Sequence, residues 1–185
     1  VLNKIDSLIK LIDDLKIQVI LYQFGVPAIA SHKVREYLGI ANATHIVVPT
    51  NEPNKMYKVE LSDCISYLEK NSKLTISYLN LPLKAALLDL GDELSQMKYL
   101  HKNATLEFLR HIRNGIAHGN KFNIQSLKRP ASFNELTINT SLNNQKVMGD
   151  MHGEGFLSLS SAFQLIDAVK AEVIYFQNNA HNNKI

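Results

Sequence analysis

Apolar residues recur at helical spacing from the start of the chain. Leu2, Ile5, Leu8, Ile9, Ile12, Leu15, Val19 and Tyr22 share one stripe, which predicts an amphipathic helix over 2–22. Gly25 and Pro27 interrupt the pattern, and a second helix is expected over about 27–39, with Gly39 as its C-terminal cap. Residues 40–56 lack a helical period. Ala43 to Pro49 is β-like but isolated, and Thr50 to Lys55 is a polar loop that either covers a site or joins elements. From Leu61 the helical pattern returns through Ile65 and Leu68, then Leu74, Ile76, Tyr78 and Leu79. Pro82 either starts a new helix or kinks a longer one, and Leu83, Leu87, Leu90, Leu94 and Met97 continue the stripe. Asn103 is a good N-cap for a helix running to His118, which Gly119 ends. Pro130 to Thr140 and Gln145 to Gly149, separated by Ser141 to Asn144, read as the two arms of a β-hairpin. Gly149, Gly153 and Gly155 mark loops. A last helix is expected from about Ser160 to Gln177, capped by Ser160 or Ser161, before an Asn-rich tail, Asn178 to Asn183, that frays. The expected fold class is mainly α: a helical bundle with a small β-hairpin inserted before the final helix, forming a single domain over 1–185.

Composition narrows the function without naming it. A chain of 185 residues suits one ordinary domain. Charged residues are 20%, a low share that hints at a partner covering part of the surface. The net charge of +3 permits RNA as a partner, but dense Lys/Arg stripes are absent from the sequence. Cys64 is the single cysteine, so no intrachain disulfide can form, which fits a reducing cytoplasm. No apolar run approaches the roughly 20 residues of a membrane span, and no signal peptide is visible. The expected location is cytoplasmic, with no membrane partner.

The chemistry concentrates on the helix expected at 103–118. At about 100° per residue, Thr105, Leu106, Leu109, Ile112 and Ile116 share one side, which should face a core. Glu107, His111, Asn114 and His118 share the opposite side. Asn114 and His118 are neighbours at i, i+4, and His111 lies on the same stripe. Arg113 falls about 40° from Leu109, on the apolar flank, so its stem must reach past the core edge or meet a partner surface.

The run Arg113-Asn114-Gly115-Ile116-Ala117-His118, near the C-terminal end of a late helix, resembles the R-N-x-x-x-H form of the motif in HEPN-superfamily domains. The segment Arg129 to Ile138, followed by a closing helix, resembles one plasmid-associated branch of that superfamily. The resemblance covers about residues 60–177. It implies a HEPN-like helical bundle and a metal-independent endoribonuclease that acts as a homodimer across the motif helix, with two motif helices lining one composite cleft. It assigns His118 as general acid or base, Arg113 as the stabiliser of phosphate charge and Asn114 as a positioning residue. Arg110 and His111 would contact the RNA substrate. The residue types suit that chemistry. An imidazole titrates near neutrality and can exchange a proton with a ribose 2′-hydroxyl or a leaving 5′-oxygen. A guanidinium stays charged and braces a phosphorane-like transition state. Neither a metal nor another cofactor is required. The resemblance further implies a toxin, antiviral-defence or stress-response setting, with an antitoxin as a possible partner. One position departs from the family: some HEPN toxins carry a tyrosine two residues after the histidine, which a partner modifies, and here that position is Asn120.

Each of these residues also has a structural reading. Arg113 can pair with a carboxylate such as Glu107 or one on the final helix, and His118 can complement the helix dipole at its C-terminus. His111 reads as a solvated face residue and Arg110 as a surface charge that can reach a phosphate at a cleft rim. Asp150-Met151-His152 offers two metal ligands without a third at fitting spacing. Cys64, Tyr67, Tyr78 and Tyr99 fall at helical positions and read as core residues. The alternative to a nuclease is a non-catalytic HEPN-like module binding RNA, a nucleotide or a protein. A homodimer should show itself as an apolar patch around the motif helix.

Overall fold

The computed structural model describes residues 2–40, 45–49, 55–70, 72–150 and 153–182. The chain is mainly helical. Helices α1 (Leu2–Ala30) and α2 (His32–Tyr37) are followed by strands β1 (His45–Pro49) and β2 (Met56–Glu60), then α3 (Leu61–Lys70), α4 (Ser72–Gln96) and α5 (Ala104–Ala117). Strands β3 (Ser132–Phe133) and β4 (Leu136–Thr137), a 3-10 turn at Thr140–Leu142 and α6 (Leu159–Asn182) complete it. A small hairpin, β3–β4, lies before the final helix, with both strands inside the first of the two predicted arms.

Helix α1 packs on α4 and α6, and α5 packs on α4, α6 and β3. The apolar stripe of α1 enters this bundle as predicted: Ile5, Leu8, Ile12, Leu15 and Val19 are buried. Leu83, Leu87, Leu90 and Leu94 of α4 meet it, with Leu165, Ile166, Val169 and Val173 of α6. Polar side chains flank the seam between α1 and α6. Lys16 bonds Asp167, Lys170 bonds Asp13 at 2.6 Å, and Gln177 donates to Asp6 at 2.8 Å. These rim pairs fix register more than they add stability.

Several boundaries differ from the expectation. Helix α1 runs through Gly25 and Pro27 to Ala30; proline's fixed φ is compatible with a helix, although the ring removes one backbone hydrogen bond and crowds the carbonyl four residues earlier. Pro82 likewise lies inside α4. The β-like segment is not isolated: β1 pairs antiparallel with β2, with Val47 opposite Lys58, and β2 runs directly into α3. The loop at 50–54 lies outside the described residues. The predicted arms Pro130–Thr140 and Gln145–Gly149 do not pair. Instead β3 turns back on β4 at once, through Asn134 in the left-handed region at φ 50°. The second arm goes elsewhere, with Lys146 bridging Lys121 and Met148 bridging Leu157. Ser158, rather than Ser160 or Ser161, accepts from the amide of Ser161 at the start of α6, at 3.1 Å. The Asn-rich tail continues α6 to Asn182, and 183–185 lie outside the described residues. Cys64 is half-buried and Tyr67 is exposed rather than core, whereas Tyr99 packs against Phe176.

Candidate active site at the end of helix α5

Helix α5 begins as predicted: the Asn103 side chain accepts from the Leu106 amide at 2.9 Å. Its core face, Leu106, Leu109, Ile112 and Ile116, is buried. The opposite face is not the solvated stripe expected. Glu107 (3% exposed) and His111 (8%) are buried, and Phe108, on the flank between the two faces, is fully buried against Phe133 and Phe156. The cause is the segment after the helix. The Gly119 φ of 80° turns the chain back, and the Lys121 amide bonds the Gly115 carbonyl at 2.9 Å. Phe122 then exchanges backbone hydrogen bonds with Gln145 and Asn144. Residues 122–126 therefore come to lie over the polar stripe of α5. Gly115 permits this approach: a Cβ there would collide with the Val147 side chain and press on the Lys121 carbonyl.

Between helix and segment lies a cavity of about 180 Å³, lined by Arg110, His111, Asn114, Gly115, His118, Phe122, Asn123, Ile124 and Ser126. Four of the five residues singled out from the sequence thus share one cavity: Arg110, His111, Asn114 and His118. The fifth, Arg113, does not line it. Its guanidinium reaches α4, where Nε donates to Asp92 Oδ1 at 2.7 Å and Nη2 also pairs with that oxygen. Neither Glu107 nor α6 is its partner. The stem of Arg113 crosses Gly91 of α4, where a Cβ would sit 2.5 Å from Cγ. This explains its place on the apolar flank: the stem packs between helices and the charge emerges at Asp92. From there Nη1 donates to Asn114 Oδ1 at 3.2 Å. Arg113 therefore steers the amide of Asn114, which enters the cavity.

The cation in the cavity is Arg110. Its Nε and Nη2 donate to Glu107 Oε1 at 2.9 and 2.6 Å, and Nη2 also donates to His111 Nε2 at 2.8 Å. A guanidinium has no acceptor, so His111 Nε2 must present its lone pair, and the ring proton sits on Nδ1. Burial pushes the pKa of His111 below the ordinary histidine value, and the positive charge of Arg110 pushes it the same way. His111 is thus a neutral prop for Arg110. Burial works against the charged form of Glu107. Hydrogen bonds from Arg110 and from His101 Nδ1 at 2.7 Å nevertheless hold its carboxyl below the ordinary glutamate value.

His118 forms the C-cap of α5. Its amide donates to the Asn114 carbonyl at 3.0 Å, while its side chain is exposed at the cavity mouth. Two residues on, Asn120 stands in the left-handed region at φ 63°, and its amide side chain brackets Met148. Nδ2 donates to the Met148 carbonyl at 2.7 Å, and Oδ1 accepts from the Met148 amide at 3.1 Å. Asn120 ties loop to loop here, a task a tyrosine cannot perform.

Sequence reasoning missed the second wall, 122–126, because nothing local in the pattern says that it folds back on α5. It also missed Asp92 as the anchor of Arg113. The i, i+3 and i, i+4 spacing of Glu107 to Arg110 and His111 was a readable signal for that cluster.

Among the described residues no three His, Cys, Asp or Glu side chains are grouped to hold a metal. Asp150 bonds Lys146 at 2.6 Å, and Met151 and His152 lie outside the described residues. No described helix is long and apolar enough to cross a membrane. The large exposed apolar side chains do not form the patch expected around the motif helix. Ile17, Leu21 and Phe24 lie on α1 and Tyr175 on α6, and none of those described lies on α5, whose sides are covered by α4, α6, β3 and residues 122–126. No protein-family model, curated protein or solved structure matches the chain, so the meaning of the site rests on its own geometry.

Proposed function

We propose that the chain is a metal-independent endoribonuclease of the HEPN type, cleaving RNA by attack of a ribose 2′-hydroxyl. The observation that carries this reading is the convergence of His118, Asn114, Arg110 and His111 on one cavity. His118, exposed at the mouth, takes the proton as the 2′-oxygen bonds to phosphorus. Arg110, held by Glu107 and His111, offers positive charge to the non-bridging oxygens as the bond to the 5′-oxygen breaks. Asn114, steered by Arg113, hydrogen-bonds the phosphate or orients the imidazole. The departing 5′-oxygen takes a proton from a second His118, which a homodimer supplies from the other copy. The products are a 2′,3′-cyclic phosphate and a 5′-hydroxyl. In this scheme Arg113 is a positioning residue, and Arg110 takes the phosphate role that the resemblance gives to Arg113. A toxin or defence setting, a cytoplasmic location and an antitoxin partner belong to the same proposal and rest on the resemblance alone.

One observation favours a second reading, a non-catalytic RNA-binding module. His111 has its lone pair occupied by Arg110, which leaves His118 as the one imidazole of this cavity suited to proton transfer. A single copy therefore holds a base without an acid.

Cleavage of a labelled structured RNA in EDTA decides between them. Wild type should yield cyclic-phosphate ends, and His118→Ala and Arg110→Ala should lose activity by roughly 100-fold or more while remaining folded. Arg113→Lys, which keeps charge but not the fork, should lose less. Sedimentation should show a dimer at micromolar concentration. Binding without product by wild type overturns the nuclease reading in favour of the module.

A further inference from the structure

The cavity at His118 is the first of three that follow the chain in order. A second, of about 450 Å³, is lined by His101, Glu107, Arg110, Ser126, Lys128 and Arg129. It shares Arg110 and Ser126 with the first. A third, of about 400 Å³, shares Lys128 and Arg129 with the second and continues along 130–132 to Thr137 and Ile138 of the hairpin. The segment 122–132 thus forms one wall of a continuous path that starts at the proposed proton-transfer group.

Apart from Glu107, the charged side chains along this path are cations. In the second cavity the one carboxylate is Glu107, which is buried and already accepts from Arg110 and His101. Arg110 is the cation paired with Glu107, so Lys128 and Arg129, both exposed, remain to face a ligand. Among the described residues Arg129 donates to a backbone carbonyl, that of His101, at 3.3 Å. No Phe, Tyr or Trp side chain lines the second or third cavity; the one aromatic ring there is His101, whose Nδ1 is bonded to Glu107.

We propose that Lys128 and Arg129, beside Arg110, form a flanking phosphate track, which holds the backbone of single-stranded RNA next to the phosphate at His118. The proposal rests on the nuclease reading for the position of the scissile phosphate. Ion pairing to phosphates without stacking or base-edge contacts gives binding that is tolerant of sequence and sensitive to salt.

Fluorescence anisotropy with a 12-mer of 2′-O-methyl RNA, which cannot undergo 2′-hydroxyl attack, tests the track without requiring cleavage. Each phosphate contact on a single strand contributes about 0.7 to the slope of log affinity against log salt. A Lys128→Ala/Arg129→Ala protein should therefore lower that slope by about 1.4, which is about a sevenfold smaller loss of affinity between 50 and 200 mM salt. A Lys4→Ala/Lys10→Ala protein, with the same charge removed from α1, should keep the wild-type slope. An unchanged slope in the first protein, an equal change in the second, or equally tight binding of an acidic peptide overturns the track. If the slope responds as expected but RNA is never cleaved, the track stands and the nuclease reading falls. Normal cleavage with an unresponsive slope gives the reverse.

Discussion

Replacing Glu107 with Gln removes one negative charge and almost no volume from the back of the candidate site. Glu107 is 3% exposed, and it accepts from Arg110 twice and from His101 once. The two partners are not equal. The His101 side chain is 55% exposed, so its pairing is worth under about 1 kcal/mol. The Arg110 side chain is 26% exposed, and its hydrogen bonds to a buried carboxylate are charge-assisted, worth about 1.5–3 kcal/mol when one partner is removed. Gln retains one acceptor oxygen for Arg110, but that oxygen is uncharged, and its amide nitrogen meets His101 Nδ1, which must change tautomer to accept. Glu107 also lies in the first turn of α5, where its charge contributes about 0.5 kcal/mol against the helix dipole. The expected loss is about 2–3 kcal/mol, a fall in Tm of roughly 5–10 °C for a domain of this size. Urea unfolding followed by far-ultraviolet circular dichroism measures it. Glu107→Gln, Arg110→Ala and the double variant should close a cycle with a coupling of about 1–2 kcal/mol. A single-variant loss below about 0.5 kcal/mol, or no coupling, would refute the argument that this carboxylate is desolvated and holds Arg110 in place.

Gly91→Ala should destabilise by about 1–3 kcal/mol through its clash with the Arg113 stem, and Arg113→Ala should relieve most of that loss; additive unfolding energies would count against the packing described. Asn120→Ala should cost about 1 kcal/mol more than Asn120→Gly, since both lose the Met148 bonds but only alanine strains the left-handed backbone; equal urea midpoints would contradict this. Stability should also fall on acidification through His111. Its folded pKa is depressed from 6.5, so its contribution is complete above 6.5 and is lost as pH falls through the folded pKa. Urea midpoints should therefore decline as pH falls below 6.5, and His111→Gln should flatten the decline; an equal decline in both proteins would place the titration elsewhere.

The sequence is most readable where one element's own pattern decides its fate. The Asn103 cap, the Gly119 stop and the buried Leu106, Leu109, Ile112 and Ile116 are all local consequences of α5. Periodicity also groups His111, Asn114 and His118 on one stripe, and the structure places them around one cavity. What periodicity lacks is knowledge of what covers a stripe. Glu107 and His111 look solvated until residues 122–126 fold back over them, and that return depends on pairings of Phe122 with Gln145 and Asn144, more than 20 residues away. Arg113 fails in the same way. Its helical angle shows a side chain out of place, but the explanation, Gly91 and Asp92, sits on another helix. The second arm of the predicted hairpin has strand-like composition and finds a different partner, because the left-handed turn at Asn134 closes β3 on β4 first.

The seam that closes α5 has a dynamic consequence. Beyond Ala117 the hydrogen bonds run from Gly115 to Lys121, from Asn120 to Val147, and from Val147 to Leu157, one residue before the cap of α6. The end of one helix and the beginning of another are thus joined by a single run of backbone bonds, with His118 at one end of it. Its side chains are core residues: Phe122, Val147, Met148 and Leu157 are each 1% exposed or less. They share one core with α1 and α4, so amide exchange along this run should be as slow as in those helices. The proposed base is thus anchored to the part of the chain that opens last.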